Sequence, residues 1–172
     1  TIVQQVEAMK AMVNAFAEYA ATPVSSYKPL SINRVIREVA DLYSGMKESI
    51  KITLALHNDI PPISADAARI RQLLHNVIKN ALESRKDSEA GVTVTIATDL
   101  IFNRNQMHQV LITIQDDGPG FPEDLMNKLF EPYITSKSKG SGLGLAIVKK
   151  IIEEHDGTIQ ASNQEDGAQL AI

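Results

Sequence analysis

The sequence predicts an α/β domain preceded by one helix, and three observations support this. Apolar residues recur with helical period in the ranges 1–22, 31–45 and 66–84. Runs rich in β-forming residues stand at 50–57 and, further on, between residues 91 and 115. A glycine-rich turn then opens directly into another amphipathic helix. Helices and strands that alternate in this way are typical of the α/β class.

Length and composition limit the classes of function. The 172 residues suffice for one ordinary domain plus an appendage, and 44% of them are hydrophobic. No run of about 18 apolar residues and no signal-peptide pattern occurs, so we expect no membrane contact. Because there is no cysteine, disulfides and thiolate metal sites are excluded. A net charge of −4 without a basic stripe argues against nucleic acid as a partner.

The first 22 residues predict a helix with apolar positions at alternating steps of four and three. These positions are Ile2, Val6, Met9, Val13, Phe16 and Ala20. The stripe either packs along a partner helix or lies on the core of its own domain. Pro23 ends the helix, and we interpret 23–30 as a linker before a domain at 31–172. The chain starts without methionine and stops in an apolar run, which predicts a piece of a longer protein.

The first part of that domain predicts two helices separated by a strand. Ser31 is a candidate N-cap for a helix that ends near Gly45. The helix at 66–84 carries the most regular apolar stripe of the chain. Asn76 and Asn80 lie four positions apart at the edge of that stripe. Asparagine is a poor residue inside a helix, so the pair consists either of solvated amides or of site residues.

A predicted hairpin leads into the first glycine turn. Residues 91–102 and 108–115 are the strands, joined by NRNQM, and Asp116 follows the second strand in DDGPG. The glycines let the chain turn and leave a carboxylate at the end of the strand. Such a carboxylate can accept a hydrogen bond from an exocyclic amine such as that of adenine.

The second glycine turn is predicted to bind phosphate. In 140–144, GSGLG, main-chain N–H groups can approach an anion closely, and the helix that we expect from Ser141 directs its positive end at the same point. That helix should end with a glycine stop at Asp156-Gly157, followed by a strand at 157–163 and a closing strand after a turn at Gly167. The Walker pattern and a Rossmann unit are both absent from the sequence.

The order of these motifs carries a family resemblance. An asparagine-bearing helix, then DDGPG, then LFEPYITSK and finally GSGLGL resemble the ATP-binding catalytic domain of sensor histidine kinases, in the superfamily of MutL and type II topoisomerases. The resemblance covers about 31–172, and 1–22 resembles the second helix of the kinases' dimerisation domain. Glu83 and the segment FAEYAATP are similar to the NtrY and NtrB nitrogen-regulation kinases.

The resemblance implies a fold, cofactors and a site. The fold is a two-layer α/β sandwich, the Bergerat type, with a mixed sheet covered by helices on one face. The cofactors are ATP and Mg²⁺, with Asn80 as the metal ligand. Asp116 would bind adenine and Asp117 would support it, while Asn80 and Lys137 would be catalytic. The implied ATP-binding residues are Asn76, Lys79, Asn80, Asp116, Gly118, Gly120, Thr135, Lys137, Gly140, Ser141, Gly142, Leu143, Gly144 and Leu145.

Two features of the segment around 121–139 complete the site that the resemblance implies. Phe130, Pro132 and Tyr133 would be packing anchors, and the SKSK tip would be a mobile basic lid. Many of these kinases carry a basic residue where this chain has Glu83, so Lys79 or Lys137 would supply the phosphate contact.

The resemblance implies protein-histidine kinase activity. The superfamily's hydrolases carry a water-activating glutamate where this chain has Asn76, and a neutral amide cannot take a proton. No acceptor motif surrounds His57, His75, His108 or His155, so we expect the acceptor histidine outside this segment. His155 is interpreted as a helix-end residue. The implied partners are a response regulator and a second copy bound through the dimerisation helices, in the cytoplasm. Two alternatives remain, an anti-sigma type of serine kinase and a nucleotide-binding module without catalysis.

Overall fold

The computed structural model describes 26–45, 50–84, 91–102, 108–137 and 140–172, and nine positions among the first 22 residues. Those nine positions are all helical. Their large apolar side chains are at least half exposed, namely those of Ile2, Val6, Met9, Val13 and Phe16. The alternative in which this stripe packs on the core of its own domain is therefore wrong for these residues.

The domain contains three α-helices and seven strands within the described ranges. The helices are α1 (Ile32–Ser44), α2 (Ala67–Ser84) and α3 (Gly144–Glu154), and a short 3-10 helix spans Glu123–Lys128. The strands are β1 (Lys28–Leu30), β2 (Ile50–Leu56), β3 (Ile63–Ala65), β4 (Val92–Phe102), β5 (His108–Asp116), β6 (Gln160–Gln164) and β7 (Gly167–Ala171). None of the helices in the described part of the chain is long and apolar enough to cross a membrane.

The main sheet has five strands in the order β2-β4-β5-β7-β6. Strand β2 is parallel to β4, and every other neighbouring pair is antiparallel. Strands β1 and β3 form a separate two-stranded antiparallel sheet. The predicted hairpin of β4 and β5 is present and pairs Phe102 with His108, while its connection at 103–107 lies outside the described residues.

The core lies between the sheet and the three helices. Along β4 the buried and half-buried residues alternate, as period-two side chains require, so that Val94 and Ile96 face inward at 0% exposure. The stripe of α2 meets them with Leu74 and Ile78, also fully buried. Because one face of the sheet carries this shared core, the domain has two layers. The predicted mixed α/β sandwich is confirmed.

Three predicted boundaries differ from the structure. Ser31 precedes α1 as expected, but its side chain makes no capping hydrogen bond. Helix α3 begins at Gly144, three residues after the predicted Ser141, because Gly142 adopts a left-handed conformation with φ +66°. After α3 the left-handed position belongs to Asp156, with φ +54°, and not to Gly157. An aspartate tolerates this conformation better than most residues do.

Two short strands, β1 and β3, were not predicted, and one later strand begins further along the chain than expected. The predicted linker 23–30 ends in strand β1, which is too short to show a periodic pattern. The strand expected at 157–163 is displaced to Gln160–Gln164. Strand β6 thus begins three residues later than expected, and β1 is held by its pairing with β3.

Polar groups fix the N-terminal end of α2 and the C-terminal end of α3. Asp66 caps α2, since its Oδ1 accepts from the backbone N–H groups of Ala68 and Arg69 at 2.9 and 3.2 Å. Its Oδ2 accepts from the N–H of Ser26 at 2.8 Å. Burial alone raises the pKa of Asp66, but these N–H groups and the nearby His155 outweigh it and hold the pKa below its ordinary value.

Helices α2 and α3 are joined directly at the same end. Arg69 donates from Nε and Nη2 to the carboxylate of Glu154 at 3.0 and 2.6 Å. His155 accepts at Nε2 from the N–H of Asp66 at 3.1 Å, and its Nδ1 lies 2.7 Å from the carbonyl oxygen of Ile151. His155 is thus a structural residue at the end of a helix, as predicted.

Candidate nucleotide-binding site

A cavity of about 800 Å³ opens among α2, the end of β5, the segment 119–137 and the start of α3. Twelve of the fourteen predicted ATP-binding residues line it, namely Asn76, Lys79, Asn80, Asp116, Gly120, Thr135, Lys137, Gly140, Ser141, Gly142, Gly144 and Leu145. Residues far apart in the sequence are thereby collected around one space. The two exceptions are Gly118, packed beneath Asp116, and Leu143, whose side chain is fully buried in the core.

The two asparagines of α2 form one wall of the cavity. The Nδ2 group of Asn76 is buried and has no hydrogen-bond partner within the described residues. A buried amide donor without an acceptor is costly, so it indicates a ligand or a water at this point. The amide of Asn80 lies beside Gly144, where a β-carbon would stand 3.5 Å from Asn80 Nδ2. The N-terminal end of α3 therefore closely approaches the second asparagine.

Asp116 is fixed by backbone N–H groups at the end of β5. Its Oδ1 accepts from the N–H of Gly118 at 2.8 Å and from that of Ala168 at 3.4 Å. Gly167 makes this geometry possible, because at φ +105° a side chain there would overlap the carbonyl oxygen of Asp116. No hydrogen bond within the described residues uses Oδ2 of Asp116, so this oxygen is available to a ligand.

Asp117 has a different environment from its neighbour. Its Oδ1 accepts from the N–H of Thr93 at 2.9 Å, and its own N–H donates to the carbonyl oxygen of Thr93 at 3.2 Å. Asp117 does not line the cavity. These contacts join the end of β5 to β4, and the supporting role of Asp117 at the base site stays a prediction.

The lid segment, residues 133–142, has its two ends joined by a backbone contact. The N–H of Tyr133 donates to the carbonyl oxygen of Gly142 at 2.9 Å, and a β-carbon on Gly142 would collide with the backbone of Tyr133. Within this segment, the N–H of Gly140 donates to the carbonyl oxygen of Lys137 at 3.1 Å. The N–H of Lys137 donates to Thr135 Oγ1 at 3.0 Å. Gly142 and Gly144 line the cavity, so the positive end of α3 starts directly at it, as the phosphate-binding prediction requires.

The side chain of Lys137 reaches from the lid segment to α2. Its Nζ donates to the carbonyl oxygen of Asn80 at 3.2 Å and to Glu83 Oε2 at 3.1 Å. Lys79 is 70% exposed and reaches only to 4.0 Å from Glu83 Oε1. Of the two predicted phosphate contacts, Lys137 is the one held against the cavity wall. The tip residues 138 and 139 lie outside the described residues.

The predicted packing anchors have mixed outcomes. Phe130 packs against the core and Pro132 is half-buried. Tyr133 is 56% exposed and has φ +68°, so its prediction as an anchor is wrong. Its contact with Gly142 is made through the backbone, and the aromatic ring is not needed for it.

The apolar half of the cavity was not predicted. It is formed mainly by Ile114, Phe121, Leu125, Leu129, Ile134, Ile147 and Leu170. An apolar surface next to Asp116 suits a flat heterocycle. Asn163 on β6 supports this side, since its amide accepts from the N–H of Phe121 at 2.7 Å and donates to that residue's carbonyl oxygen at 2.8 Å. Strand alternation indicates that Ile114 and Leu170 are buried, but not that a cavity lies beside them.

Within the described residues, no three His, Cys, Asp or Glu side chains come together as a metal site. The predicted Mg²⁺ contact is of another kind, since it rests on the amide oxygen of Asn80 beside the glycine turn. One protein oxygen suits a magnesium ion that takes its other ligands from phosphate and water.

The chain matches known proteins over most of its length. The model of the histidine kinase-, DNA gyrase B- and HSP90-like ATPases matches residues 65–172. A sensor histidine kinase of NtrY-like type from Rickettsia bellii is 33% identical over 167 residues, which cover 96% of this chain and 26% of the relative. The chain thus spans about a quarter of the length of that relative.

Solved structures agree with the sequence matches. The nucleotide-free catalytic domain of histidine kinase ThkA is 32% identical, with a TM-score of 0.72, and the match covers 85% of this chain and 93% of that one. ThkA in complex with the response regulator protein TrrA is 28% identical, with a TM-score of 0.77, over 99% of this chain and 48% of that one. The resemblance to the catalytic domain of sensor histidine kinases is confirmed, and the chain belongs to the family of histidine kinase-, DNA gyrase B- and HSP90-like ATPases.

Proposed function

We propose that this domain binds Mg·ATP and transfers the γ-phosphate to a histidine outside the segment, for relay to an aspartate of a response regulator. The observation that carries the proposal is the meeting of the two asparagines of α2 with the glycine turn before α3, in a cavity that has Asp116 at its other end. A nucleotide needs an anion site and a base site at a fixed separation, and the groups that line the two ends of this cavity suit these two roles.

The base would lie against the apolar wall with its exocyclic amine at Asp116. A carboxylate accepts hydrogen bonds only, so it favours adenine over guanine, whose corresponding position is a carbonyl. Gly118 fixes Oδ1, which leaves Oδ2 for the amine. The site thus selects the base by hydrogen-bond polarity.

The phosphates would lie between α2 and the start of α3. The N–H groups of Ser141, Gly142 and Gly144 and the ammonium of Lys137 would donate to phosphate oxygens. The orphaned Nδ2 of Asn76 would gain an acceptor there. Asn80 would hold Mg²⁺, and the ion would neutralise phosphate charge when bound.

Transfer requires little covalent chemistry from this domain. The bond between the γ-phosphorus and its bridging oxygen breaks, a bond from the acceptor imidazole nitrogen to that phosphorus forms, and ADP leaves. Catalysis then depends on orientation and charge neutralisation by Asn80 and Lys137. Hydrolysis would need a base for water, and the amide of Asn76 cannot be one.

The four histidines of the chain have environments that suit other roles. Besides His155, His75 lies 3.1 Å from the hydroxyl of Tyr43, and His108 stacks edge-on against Phe102. His57 accepts at Nδ1 from the N–H of Asp59. None of these four residues lines the cavity. This supports an acceptor that lies on another segment.

The proposed partners follow from the exposed helix and from one relative. The apolar stripe of 1–22 offers a surface for the same helix of a second copy, which would make a homodimer. ThkA has been solved in complex with a response regulator, and we propose a response regulator as the partner of this domain too. We place the domain in the cytoplasm, where ATP is available.

The test is incubation with γ-labelled ATP and Mg²⁺. We expect this chain to bind ATP yet remain unlabelled, and to label an added chain that carries the acceptor helix. That label should be labile in acid and stable in base. Stable label on a histidine of this chain would contradict the assignment of the acceptor. Acid-stable label on serine or threonine would favour a serine kinase, and ATP binding without any label would favour a module without catalysis.

A further inference from the structure

The ammonium of Lys137 is held between two acceptors of α2. It donates to the carbonyl oxygen of Asn80 at 3.2 Å and to Glu83 Oε2 at 3.1 Å. The side chains of Lys137 and Glu83 are 32% and 35% exposed, and both residues line the cavity. The lysine therefore crosses from the lid to the helix that carries the two asparagines.

Within the described residues, this arrangement leaves one donor of Lys137 unused. An ammonium group has three N–H donors, of which two point at acceptors within one turn of α2. The third can serve a phosphate oxygen in the cavity. A lysine side chain has a flexible four-carbon stem, and ordering it costs rotamer entropy. Glu83 offsets that cost before a nucleotide binds, because it already holds the ammonium in place.

The charge of Glu83 also requires an explanation at this site. A carboxylate beside a triphosphate repels it, and the repulsion is weakly screened in a half-enclosed cavity. The ion pair with Lys137 compensates for this charge. Lys79 compensates less, since its Nζ is 4.0 Å from Glu83 Oε1 and its side chain is 70% exposed.

We propose that Glu83 is a positioning residue that orients Lys137 toward the terminal phosphate of ATP. The proposal rests on the proposed function, because it presumes that ATP occupies this cavity. Glu83 would not touch the nucleotide itself. If the ion pair only held the lid segment against α2, it would stabilise the fold without orienting Lys137 toward a ligand. The two roles predict different results.

The experiment measures how strongly the chain prefers ATP over ADP, both with Mg²⁺, by calorimetric titration. Only the terminal phosphate distinguishes the two ligands, so the ratio of their dissociation constants reports the contacts to that phosphate, and the change of this ratio in Lys137→Met reports the contact of Lys137. We expect Lys137→Met to lower this preference by about tenfold or more, as the loss of a charge-assisted contact does. Glu83→Gln should lower it several-fold, without weakening ADP binding.

The double variant separates positioning from independent contributions. If Glu83 acts through Lys137, Glu83→Gln should have no further effect on the preference once Lys137→Met is present. The matched control is the pair Lys149 and Glu153 on α3, 3.8 Å apart and outside the cavity. Lys149→Met and Glu153→Gln make the same charge changes and should leave the preference unchanged.

Each outcome has a defined meaning. A native preference for ATP that persists in Glu83→Gln, even with a lower melting temperature, would show that the ion pair only stabilises the fold. This result would overturn the proposal. Additive effects in the double variant would overturn it as well. Equal native affinity for ATP and ADP would refute the contact of Lys137 while leaving ATP binding intact. Absence of ATP binding by the native chain would refute the proposed function itself.

Discussion

Replacement of Asp116 by asparagine tests the base site most directly. The substitution keeps the size of the side chain and retains one oxygen, which can still accept from the N–H of Gly118, now at 2.8 Å from Oδ1. The other position becomes an NH₂ group that faces the exocyclic amine of adenine. Two donors then oppose each other, so the fold is preserved while the contact with the base is lost.

The expected loss follows from the type of bond. A hydrogen bond to a charged group contributes about 1.5–3 kcal/mol, and 1.4 kcal/mol corresponds to a tenfold change in affinity. Asp116→Asn should therefore weaken ATP binding by about 10- to 150-fold. Calorimetric titration with ATP measures this, and a GTP titration of the native chain should show much weaker binding.

Asp117→Asn is the matched control for this experiment. It removes the same charge one residue away, at a side chain that accepts from the N–H of Thr93 and does not line the cavity. We expect its ATP affinity to stay near that of the native chain. Unchanged affinity in Asp116→Asn, an equal loss in Asp117→Asn, or equal binding of GTP and ATP would each refute the base-site assignment.

Three further predictions concern the metal, the lid and the response to acid. Asn80→Ala should largely abolish the gain in ATP affinity that Mg²⁺ gives the native chain, whereas Asn76→Ala should retain most of it; an undiminished gain in Asn80→Ala would place the ligand elsewhere. Hydrogen exchange across 134–142 should slow when Mg·ATP is added, and equal exchange would exclude the lid from binding. Because the pKa of Asp66 is lower in the folded state, its carboxylate stabilises the fold at pH values above the ordinary pKa of aspartate. This stabilisation is lost as pH falls through the pKa of the folded state. Denaturant unfolding between about pH 5 and pH 2 should show a shallower loss of stability in Asp66→Asn than in the exposed control Asp41→Asn.

Helix α2 shows what periodicity alone could predict. Its apolar stripe has the spacing of one helix face, so the buried residues and the edge position of Asn76 and Asn80 follow from the helix geometry. The glycine turns could be located for a similar reason, since backbone near a ligand requires residues without a β-carbon. Local geometry dictates both features, and the structure retains them.

Features that depend on distant contacts could not be predicted. Strand β1 has only three residues and exists because β3 pairs with it. Tyr133 adopts φ +68°, which its residue type disfavours, where its N–H binds the carbonyl oxygen of Gly142. The apolar wall of the cavity requires the ends of β5 and β7 to lie beside the 3-10 helix, an arrangement without a signal in any single segment.

The charges around the cavity explain why Mg²⁺ should matter to this site. Among the described residues, four charged side chains line it, Lys79 and Lys137 against Glu83 and Asp116, so the formal charges of these four cancel. A triphosphate cannot be neutralised by such a wall, and Glu83 already engages Lys137 at 3.1 Å. The remaining attraction comes from the N–H groups at the start of α3 and from a bound cation. Affinity for ATP should therefore depend on the metal more than on any single lysine, and this is why the comparison of Asn80→Ala with and without Mg²⁺ tests the phosphate end of the site.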